Sequence, residues 1–503
     1  MASLNRPARL SVIDETGEKR TLAGGPGAYA AFGDGDRLIF LGLGPDPAEA
    51  VALADGRPAA YVECPAFAAA MGTTWTKAIP DAWPRLDPAE LAPLRAGAAR
   101  FYLYRQNTRL FPSFWGPLWA RVQLALLPRP ESAPQSPTVL LFRDPAGMLE
   151  PQLARSLARL GRPVAAIPAT DSAQAVAAVL GREKPALALC VNGTGLDDDG
   201  LVAELLRAAG VPLVLWFVDN PFHVLGRFRS RFWQWATLCV TDDSFLAPLW
   251  ALGAGNAIHL PLAASDHFSG ASPTPGLSDR AVFVGRSAFA GRDAFFADCR
   301  IPEALAGQAR DMAEAGKRPD FFWWADHLGL GALWPGKSAR QAGCGAETAG
   351  LAQRAAVLTA VGEDAPLTVY GDPGWRELLP PGTDVRPPVD YYGALPGLYA
   401  GAGVSVNVTS LLLPRGLTQR HFDVWAAGGC LITDATPGLT LFPAKLTAPI
   451  RYASPPAAGR LAADLLANPN RRKDLTAAWQ EHITAGHRYE DRLAALLASL
   501  SVD

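Results

Sequence analysis

Short apolar runs alternate with longer helical patterns through the middle and last parts of the chain. In the middle part, helical stretches such as EPQLARSLARLG separate apolar runs at 138–142, 163–168, 187–191, 212–219 and 238–242. The last part repeats this scheme with runs at 281–285, 367–371, 403–409 and 430–434. Short strands separated by helices are typical of parallel sheets that helices cover on both faces. The pattern therefore predicts two successive doubly wound α/β domains.

The first part of the chain is less regular but contains one strand–helix–strand pattern. An apolar run at 37–44 precedes a helical stretch, and a second run follows at 59–64. Gly42 and Gly44 end the first run and Glu63 lies near the end of the second, which is similar to a nucleotide or S-adenosylmethionine site without the full glycine fingerprint. The alternative is a tight strand-to-helix turn in an accessory domain.

Two stretches rich in Pro, Ser and Gly divide the chain, one at 128–137 and one at 269–279. The predicted units are an accessory N-terminal α/β domain over 1–130, a second domain over 138–268, a third domain over 279–475 and a C-terminal helix over 476–503. We expect the C-terminal helix to pack across the domain interface. The aromatic residues of 101–123 are predicted to pack the first domain onto its neighbour.

The composition is that of a globular protein and not of a general nucleic-acid binder. Of 503 residues, 49% are hydrophobic and 19% are charged, which is enough apolar material for large cores. Lys and Arg number 46 against 48 Asp and Glu, so the formal net charge is -2 at pH 7. We therefore expect no nucleic-acid partner, and any anionic ligand must be held by local charges.

The distribution of cysteines and apolar residues indicates the cellular compartment of the protein. The six cysteines lack the short spacings of a zinc site or redox motif, and we expect most of them to be core residues in a reducing compartment. No apolar run reaches the roughly 20 residues that cross a bilayer. The N-terminus lacks the apolar segment of a signal peptide. These features predict a cytoplasmic protein without a membrane span.

Charged residues beyond the carboxyl ends of the strands are candidates for a site, because doubly wound sheets bind their ligands there. The strand at 281–285 ends with Gly285, Arg286 follows it, and Arg292 begins the next helical pattern. Glycine lets a backbone come close to a ligand, and two guanidinium groups can hold a diphosphate by charge-assisted bonds. The alternative is a pair of exposed arginines without a ligand.

Three segments of the last part follow one another in an order typical of a known class of proteins. They are TVYGDPGW at 368–375, VRPPVDYYGALPGLYAGAGVSVNVTS at 385–410 and RGLTQRHFDVWAAGGCLITD at 415–434. Together they resemble the nucleotide-sugar-binding half of GT-B glycosyltransferases. Over roughly 138–495 the chain is similar to the glycosyltransferase-like family of spore maturation proteins (CgeB-like).

This resemblance implies a fold and an activity. The fold would be GT-B-like α/β, with two Rossmann-like doubly wound domains facing a cleft and an additional N-terminal α/β domain. The activity would be transfer of a sugar from a nucleotide-sugar donor to a protein, such as flagellin, or to a cell-surface glycan. The donor would be a substrate, and no cofactor is implied.

The resemblance also assigns donor-binding residues in the third domain. The carboxylate that binds the donor ribose falls on Asp423, and a carboxylate can accept two hydrogen bonds from vicinal hydroxyls. Many GT-B enzymes have a Glu eight residues earlier, where this chain has Arg415, which could hold donor phosphate instead. Arg420 can lie on the same helical face as Asp423, with a surface salt bridge between them as the alternative.

Further donor contacts are implied by the segments around these charges. Gly416 would bring backbone N–H groups towards the diphosphate or the sugar, and Thr409 and Ser410 would bring hydroxyls. Tyr391 precedes a helical pattern, in the position from which an aromatic ring can stack on the base. The alternative for Tyr391 is a place in the core.

The second domain offers candidates for the acceptor side of the cleft. The run at 212–219 ends in Asp219, and His223 follows four residues later. Polar groups at the carboxyl end of a strand can hold the acceptor or act as general base. The alternative is that Asp219 caps the following helix and His223 is a surface histidine.

No metal site is predicted. Asp242 and Asp243 are adjacent and point in different directions, so one ion would not easily take both, and Asp242 is expected to cap a helix. Arginines and helix dipoles would balance the phosphate charge. Two alternatives to a metal-independent glycosyltransferase stay open: an inactive nucleotide-sugar-binding or scaffold protein of the same fold, and a bifunctional enzyme with a second site in the first domain.

Overall fold

The computed structural model describes residues 10–91, 99–127 and 134–500, which form three α/β domains in chain order. Most of the loop predicted at 128–137 lies outside these residues, as do both chain ends. None of the described helices is long and apolar enough to cross a membrane.

The first domain has a small mixed sheet. Its elements are β1 Ser11–Ile13, β2 Lys19–Thr21, β3 Tyr29–Phe32, β4 Arg37–Leu41, α1 Pro47–Ala54, β5 Ala59–Val62, α2 Pro65–Lys77, β6 Ala99–Tyr104, α3 Asn107–Leu110 and α4 Pro112–Leu126. β1 and β2 form a separate two-stranded sheet, and the main sheet has the order β3-β6-β4-β5. β4 runs parallel to β5 and β6, which is the predicted strand–helix–strand unit with one more strand beside it.

The second domain has a six-stranded sheet in which every pair is parallel. Its elements are β7 Gln135–Arg143, α5 Glu150–Arg159, β8 Val164–Pro168, α6 Ser172–Leu180, β9 Lys184–Val191, α7 Leu201–Ala208, β10 Leu213–Phe217, α8 Pro221–Leu225, β11 Thr237–Val240, α9 Leu246–Ala251 and β12 Asn256–His259. The central strands are buried on both faces, as the apolar runs predict.

The third domain has a second six-stranded parallel sheet. Its elements are β13 Ala281–Val284, α10 Arg292–Phe295, α11 Glu303–Glu314, α12 Phe321–His327, α13 Lys337–Asp364, β14 Leu367–Tyr370, α14 Trp375–Leu378, β15 Asp384–Arg386, α15 Leu395–Gly401, β16 Val404–Asn407, α16 Arg420–Ala426, β17 Leu431–Asp434, α17 Ala444–Thr447, β18 Arg451–Tyr452, α18 Pro455–Ala467, α19 Pro469–Gly486 and α20 Tyr489–Ser499. The prediction of two doubly wound domains and an additional α/β domain is confirmed.

Each of the two parallel sheets reverses its strand order once, and open α/β sheets bind ligands at such switch points. The second-domain order is β12-β11-β10-β9-β7-β8, so the reversal falls between β7 and β9. The third-domain order is β15-β14-β13-β16-β17-β18, so the reversal falls between β13 and β16. The carboxyl ends of these two strand pairs are therefore where the fold predicts a ligand.

The domains are joined by packing as well as by the chain. α20 packs on α5, and Ala264 N donates to His487 O at 2.8 Å. One apolar core runs from Val139 in β7 to Leu497 in α20. Trp119 of α4 contacts the cores of both the first and the second domain. The predicted C-terminal helix is thus two helices, the second of which crosses to the second domain.

The first domain contradicts the alternative of a second nucleotide site. Gly42 and Gly44 have positive φ angles of 83° and 64°, but their open sides are filled by the protein. A Cβ at Gly42 would overlap Nδ2 of Asn107. Glu63 is 2% exposed, and its Oε2 accepts a hydrogen bond from Leu43 N at 2.9 Å. Burial raises the pKa of Glu63 to about 7. The glycines therefore form a tight turn, which was the alternative reading.

This packing predicts that Gly42→Ala destabilises the protein more than Gly56→Ala does. Both glycines have positive φ, at 83° and 73°, but no atom lies within 4 Å of a Cβ at Gly56. The extra cost at Gly42 should be about 1–3 kcal/mol, the usual range for overpacking. Chemical denaturation of both variants measures it, and equal losses would show that Asn107 does not fill the space beside Gly42.

Candidate functional site

A cavity of about 450 Å³ lies between the second and third domains at the carboxyl ends of their sheets. Its walls come from the segments 144–150 after β7, 191–194 after β9, 218–219 after β10 and 410–419 after β16. β7 and β9 flank the switch point of the second sheet, and β16 flanks that of the third. The cavity therefore lies at the switch point of the second sheet and against the segment that follows β16 in the third.

The segment after β16 is held by hydrogen bonds beneath the cavity. Asn407 Oδ1 accepts from Thr418 Oγ1 at 2.9 Å and from Arg420 Nη1 at 3.3 Å. Thr409 N donates to Asp434 Oδ1 at 2.8 Å, so the Thr409 hydroxyl is drawn into this buried network. These hydrogen bonds fix both ends of the segment, and its residues between 410 and 419 form part of the cavity wall.

The guanidinium group of Arg420 lies at the switch point of the third sheet. Its Nε donates to Val284 O, at the end of β13, at 2.9 Å, and its Nη1 reaches Asn407 Oδ1 at the end of β16. Gly285 permits this approach, because a Cβ there would lie 2.8 Å from Nη2. In the described part of the chain, no carboxylate pairs with this guanidinium. Its positive charge is therefore uncompensated where a ligand is expected.

The other predicted arginines differ in their surroundings. Arg286 is exposed, and no ion pair forms with it among residues 10–91, 99–127 and 134–500. Arg292 begins α10 and donates to Thr348 Oγ1 at 3.3 Å, while also pairing with its neighbour in sequence. Arg415 Nε pairs with Asp243 Oδ1 at 2.7 Å. The structure leaves Arg286 and Arg420 available to an anion, whereas Arg292 and Arg415 already have partners.

The residues beside Arg415 tie the two domains together. Asp242 accepts from Ser244 N at 2.9 Å, as predicted for a helix cap, and from Arg415 N at 2.8 Å. Gly416 is buried, and a Cβ there would lie 2.8 Å from Cβ of Leu413. Gly416 is not among the residues that line the cavity, and the backbone contact with the donor stays a prediction. Ser410, which was also predicted to contact the donor, does lie on the cavity wall.

Asp423 lies inside the protein's own hydrogen-bond network. It is 1% exposed, and it accepts from Ser265 N at 3.1 Å, Gln419 Nε2 at 3.0 Å and Tyr391 Oη at 2.6 Å. Burial raises the pKa of Asp423 to about 7, although these hydrogen bonds oppose the shift. The salt bridge with Arg420, the alternative for this pair, is not formed. The ribose contact of Asp423 and the base contact of Tyr391 would need their mutual bond to open, and both stay predictions.

Asp219 lies on the cavity wall, and the capping role that was its alternative is filled by Asn220. The side chain of Asn220 accepts from Phe222 N at 3.0 Å, at the start of α8. The carboxylate of Asp219 accepts from Asn192 Nδ2 at 2.7 Å. The protein around the cleft desolvates this carboxylate and raises its pKa, although the Asn192 bond opposes the shift. Asp219 is therefore open to a ligand.

His223 is packed away from the cavity. It is therefore neither the acceptor-side group that was predicted nor the surface histidine that was the alternative. Its Nε2 lies 3.1 Å from Ala339 O, and its ring contacts Phe295 and Phe321 with centroid distances of 5.3 and 5.9 Å. Burial lowers the pKa of His223 to about 4. A neutral histidine enclosed in this way joins α8 to α13 and cannot reach an acceptor.

Glu150 is a site residue that sequence reasoning missed. It begins α5, lines the cavity and is 3% exposed, and its Oε2 has no hydrogen-bond partner. Burial raises its pKa. A glutamate in the first turn of a helix is common, and the only available signal was its place after the first strand of a doubly wound domain. Within the described residues, no group of three or more His, Cys, Asp and Glu side chains is placed to hold a metal ion.

One family model and several solved structures are similar to parts of this chain. Residues 352–498 match the model of a family described as glycosyl transferase-like. No curated protein matches the chain. Solved structures do: HepE of Anabaena in complex with UDP and glucose has 10% identity, covering 72% of this chain and 99% of that chain, with a TM-score of 0.41.

Two other solved structures are similar to this chain over a comparable range. One, from Rickettsia africae, has 9% identity, covering 73% of this chain and 98% of that chain, with a TM-score of 0.45. T4 phage BGT in complex with UDP and Mn2+ has 6% identity, covering 72% of this chain and 99% of that chain, with a TM-score of 0.42. The GT-B arrangement of this chain rests on its own two parallel sheets and the cleft between them.

The buried carboxylate predicts a pH-dependent effect of Asp423→Asn. The pKa of Asp423 is about 7 in the folded protein, whereas its ordinary value is 3.8. Ionisation of this carboxylate therefore destabilises the wild type as pH rises from about 4 to about 7, and the neutral variant lacks this loss. The stability of the variant relative to the wild type should therefore rise over this window by roughly 2–4 kcal/mol. Denaturation at pH 4.5, 6 and 8 measures it.

Asp372→Asn is the matched control for this measurement. The hydrogen bonds from Ser287 outweigh the burial of Asp372 and lower its pKa, so its substitution should cost more at high pH than at low pH. If the relative stability of Asp423→Asn does not change with pH, the carboxylate is not buried as described.

Proposed function

We propose that this protein is a glycosyltransferase that moves a sugar from a nucleotide-sugar donor to a hydroxyl group held in the cleft. The observation that carries the proposal is the uncompensated pair of cations, Arg286 and Arg420, at the carboxyl edge of the third sheet. The match of 352–498 to the glycosyl transferase-like family supports it, since this range includes Arg420.

The two arginines suit the diphosphate of the donor. A guanidinium group is charged at every physiological pH, and each charge-assisted hydrogen bond to phosphate contributes about 1.5–3 kcal/mol. When the bond between sugar and diphosphate breaks, negative charge grows on the diphosphate, so these cations stabilise the transition state more than the bound substrate. They also supply the positive charge that a divalent ion would bring, and we propose that transfer needs no metal.

The acceptor is expected in the cavity on its second-domain side, since Arg286 and Arg420 lie beyond the cavity lining. Asp144, Glu150 and Asp219 line the cavity, and no Lys or Arg side chain of the described residues does. A nucleic-acid backbone would meet like charge there, which argues against it as acceptor. We propose a protein such as flagellin, or a cell-surface glycan, in a cytoplasmic reaction, and the resemblance to the CgeB-like family supports this choice.

Donor binding gives the first test. Among UDP, GDP, ADP and CDP, at least one should raise the melting temperature with EDTA present, because binding to the folded state alone stabilises it. Arg286→Ala and Arg420→Ala should each weaken that affinity about 10–100-fold, the equivalent of one lost charge-assisted bond. Titration calorimetry of the variants measures the loss.

The control variant is Arg460→Ala, which removes an exposed arginine of α18 for which no donor contact is predicted and should leave the affinity unchanged. If no nucleoside diphosphate binds, the proposal is wrong. Release of diphosphate from the matching nucleotide-sugar then separates an enzyme from the alternative, a binding or scaffold protein.

A further inference from the structure

One carboxylate on the second-domain wall of the cleft lacks the partners that buried polar groups normally have. Glu150 is 3% exposed and lines the cavity, and its Oε2 has no hydrogen-bond partner. Gly147 also lines the cavity, and a Cβ there would overlap this oxygen, so the carboxylate occupies space that only a glycine leaves beside the cavity. Buried acceptors are nearly always paired, and an unpaired one beside a cavity is completed when a ligand donates a hydrogen bond.

The groups around Glu150 favour its protonated form, which helps this carboxylate to accept a proton from a substrate. The titratable and charged groups that face it are Asp144 and Arg143 from β7 and its loop, Cys190 from β9, and Tyr392 from the third domain. Burial raises the pKa of Glu150, although hydrogen bonds from the backbone N–H groups of Glu150 and Leu149 to the carboxylate oppose the shift; the nearby Asp144 adds to it and Arg143 opposes it. A base works best when its pKa lies nearer the working pH than that of a free carboxylate.

The two catalytic candidates predicted from the sequence, Asp219 and His223, are less suited to receive a proton. The carboxylate of Asp219 already accepts from Asn192 Nδ2 at 2.7 Å, which fixes its orientation. His223 lies outside the cavity, against α13. Asp219 is therefore placed to hold and orient an acceptor. Of the three carboxylates that line the cavity in the described part of the chain, Asp144 and Asp219 are exposed, and Glu150 is the buried one, with an oxygen that has no partner.

We propose that Glu150 is the catalytic base of the transfer, an assignment that rests on the proposed function. The acceptor O–H gives its proton to Oε2 of Glu150, and the acceptor oxygen forms a bond to the anomeric carbon of the donor sugar. The bond from that carbon to the diphosphate oxygen breaks, and its electron pair leaves on the diphosphate, whose charge Arg286 and Arg420 balance. The products are the glycoside, the nucleoside diphosphate and a protonated Glu150.

The test uses the full chain with water as the acceptor, because the natural acceptor is not needed for a base to act. The probe is the glucose ester of whichever diphosphate binds: UDP-glucose, GDP-glucose, ADP-glucose or CDP-glucose. Glu150→Gln should lower the rate of diphosphate release about 100-fold or more, while the dissociation constant of the diphosphate changes by less than about twofold. The rise of the wild-type rate with pH should disappear in the variant.

A second measurement separates catalysis from folding. Because the pKa of Glu150 is raised in the folded protein, its ionisation costs stability as pH rises above the pKa of the unfolded chain, so Glu150→Gln should melt no lower than the wild type at neutral pH. Glu204→Gln is the matched control: Glu204 is also buried, on α7 outside the cleft, with a pKa that burial raises. Its rate should equal that of the wild type.

Two results would overturn the assignment while the proposed function survives. The first is a Glu150→Gln rate within about threefold of the wild type. The second is a wild type that binds the diphosphate but releases none overnight, since a base at this position would activate water. Failure of every diphosphate to bind would instead contradict the proposed function itself.

Discussion

The third domain must stabilise the guanidinium group of Arg420, which no counter-charge among the described residues balances. Removing such a group from water is costly, and this cost constrains the residues around it. Arginine cannot lose its proton, so Arg420 must be stabilised by hydrogen bonds or by an anion. The strand carbonyl of Val284 and the side chain of Asn407 supply part of this stabilisation. Gly285 makes the approach possible, and Thr418 fixes Asn407 from the other side. An anionic ligand would supply the rest.

A second constraint is a series of buried hydrogen bonds that joins the domains behind the cleft. Asp423 accepts from Ser265 N, Ser265 Oγ donates to Gln152, Gln152 donates to Ser156, and Ser156 donates to Glu490 in α20. This series links α16, the segment between the domains, α5 and the C-terminal helix. A fully paired network of this kind fixes one domain arrangement, because opening it leaves buried groups unpaired. A ribose that binds Asp423 must compete with that arrangement.

The strands of both parallel sheets could be predicted because their apolar runs are long enough to be buried on both faces. β12, β15 and β18 were missed, since short edge strands such as Asp384–Arg386 carry no such run. The site was only partly predictable. Asp219 follows from its place at a strand end, and Arg420 from the family resemblance and its helical spacing to Asp423. The packing of His223 and the internal partners of Asp423 depend on contacts distant in sequence. The unpaired oxygen of Glu150 is equally a tertiary property.

The crystal structure of the protein with a bound nucleoside diphosphate tests the central claim most directly. The account predicts phosphate oxygens within hydrogen-bond distance of the guanidinium groups of Arg286 and Arg420, with the nucleoside extending towards Tyr391. A diphosphate bound away from the carboxyl ends of β13 and β16, with both arginines unchanged in their contacts, would contradict it.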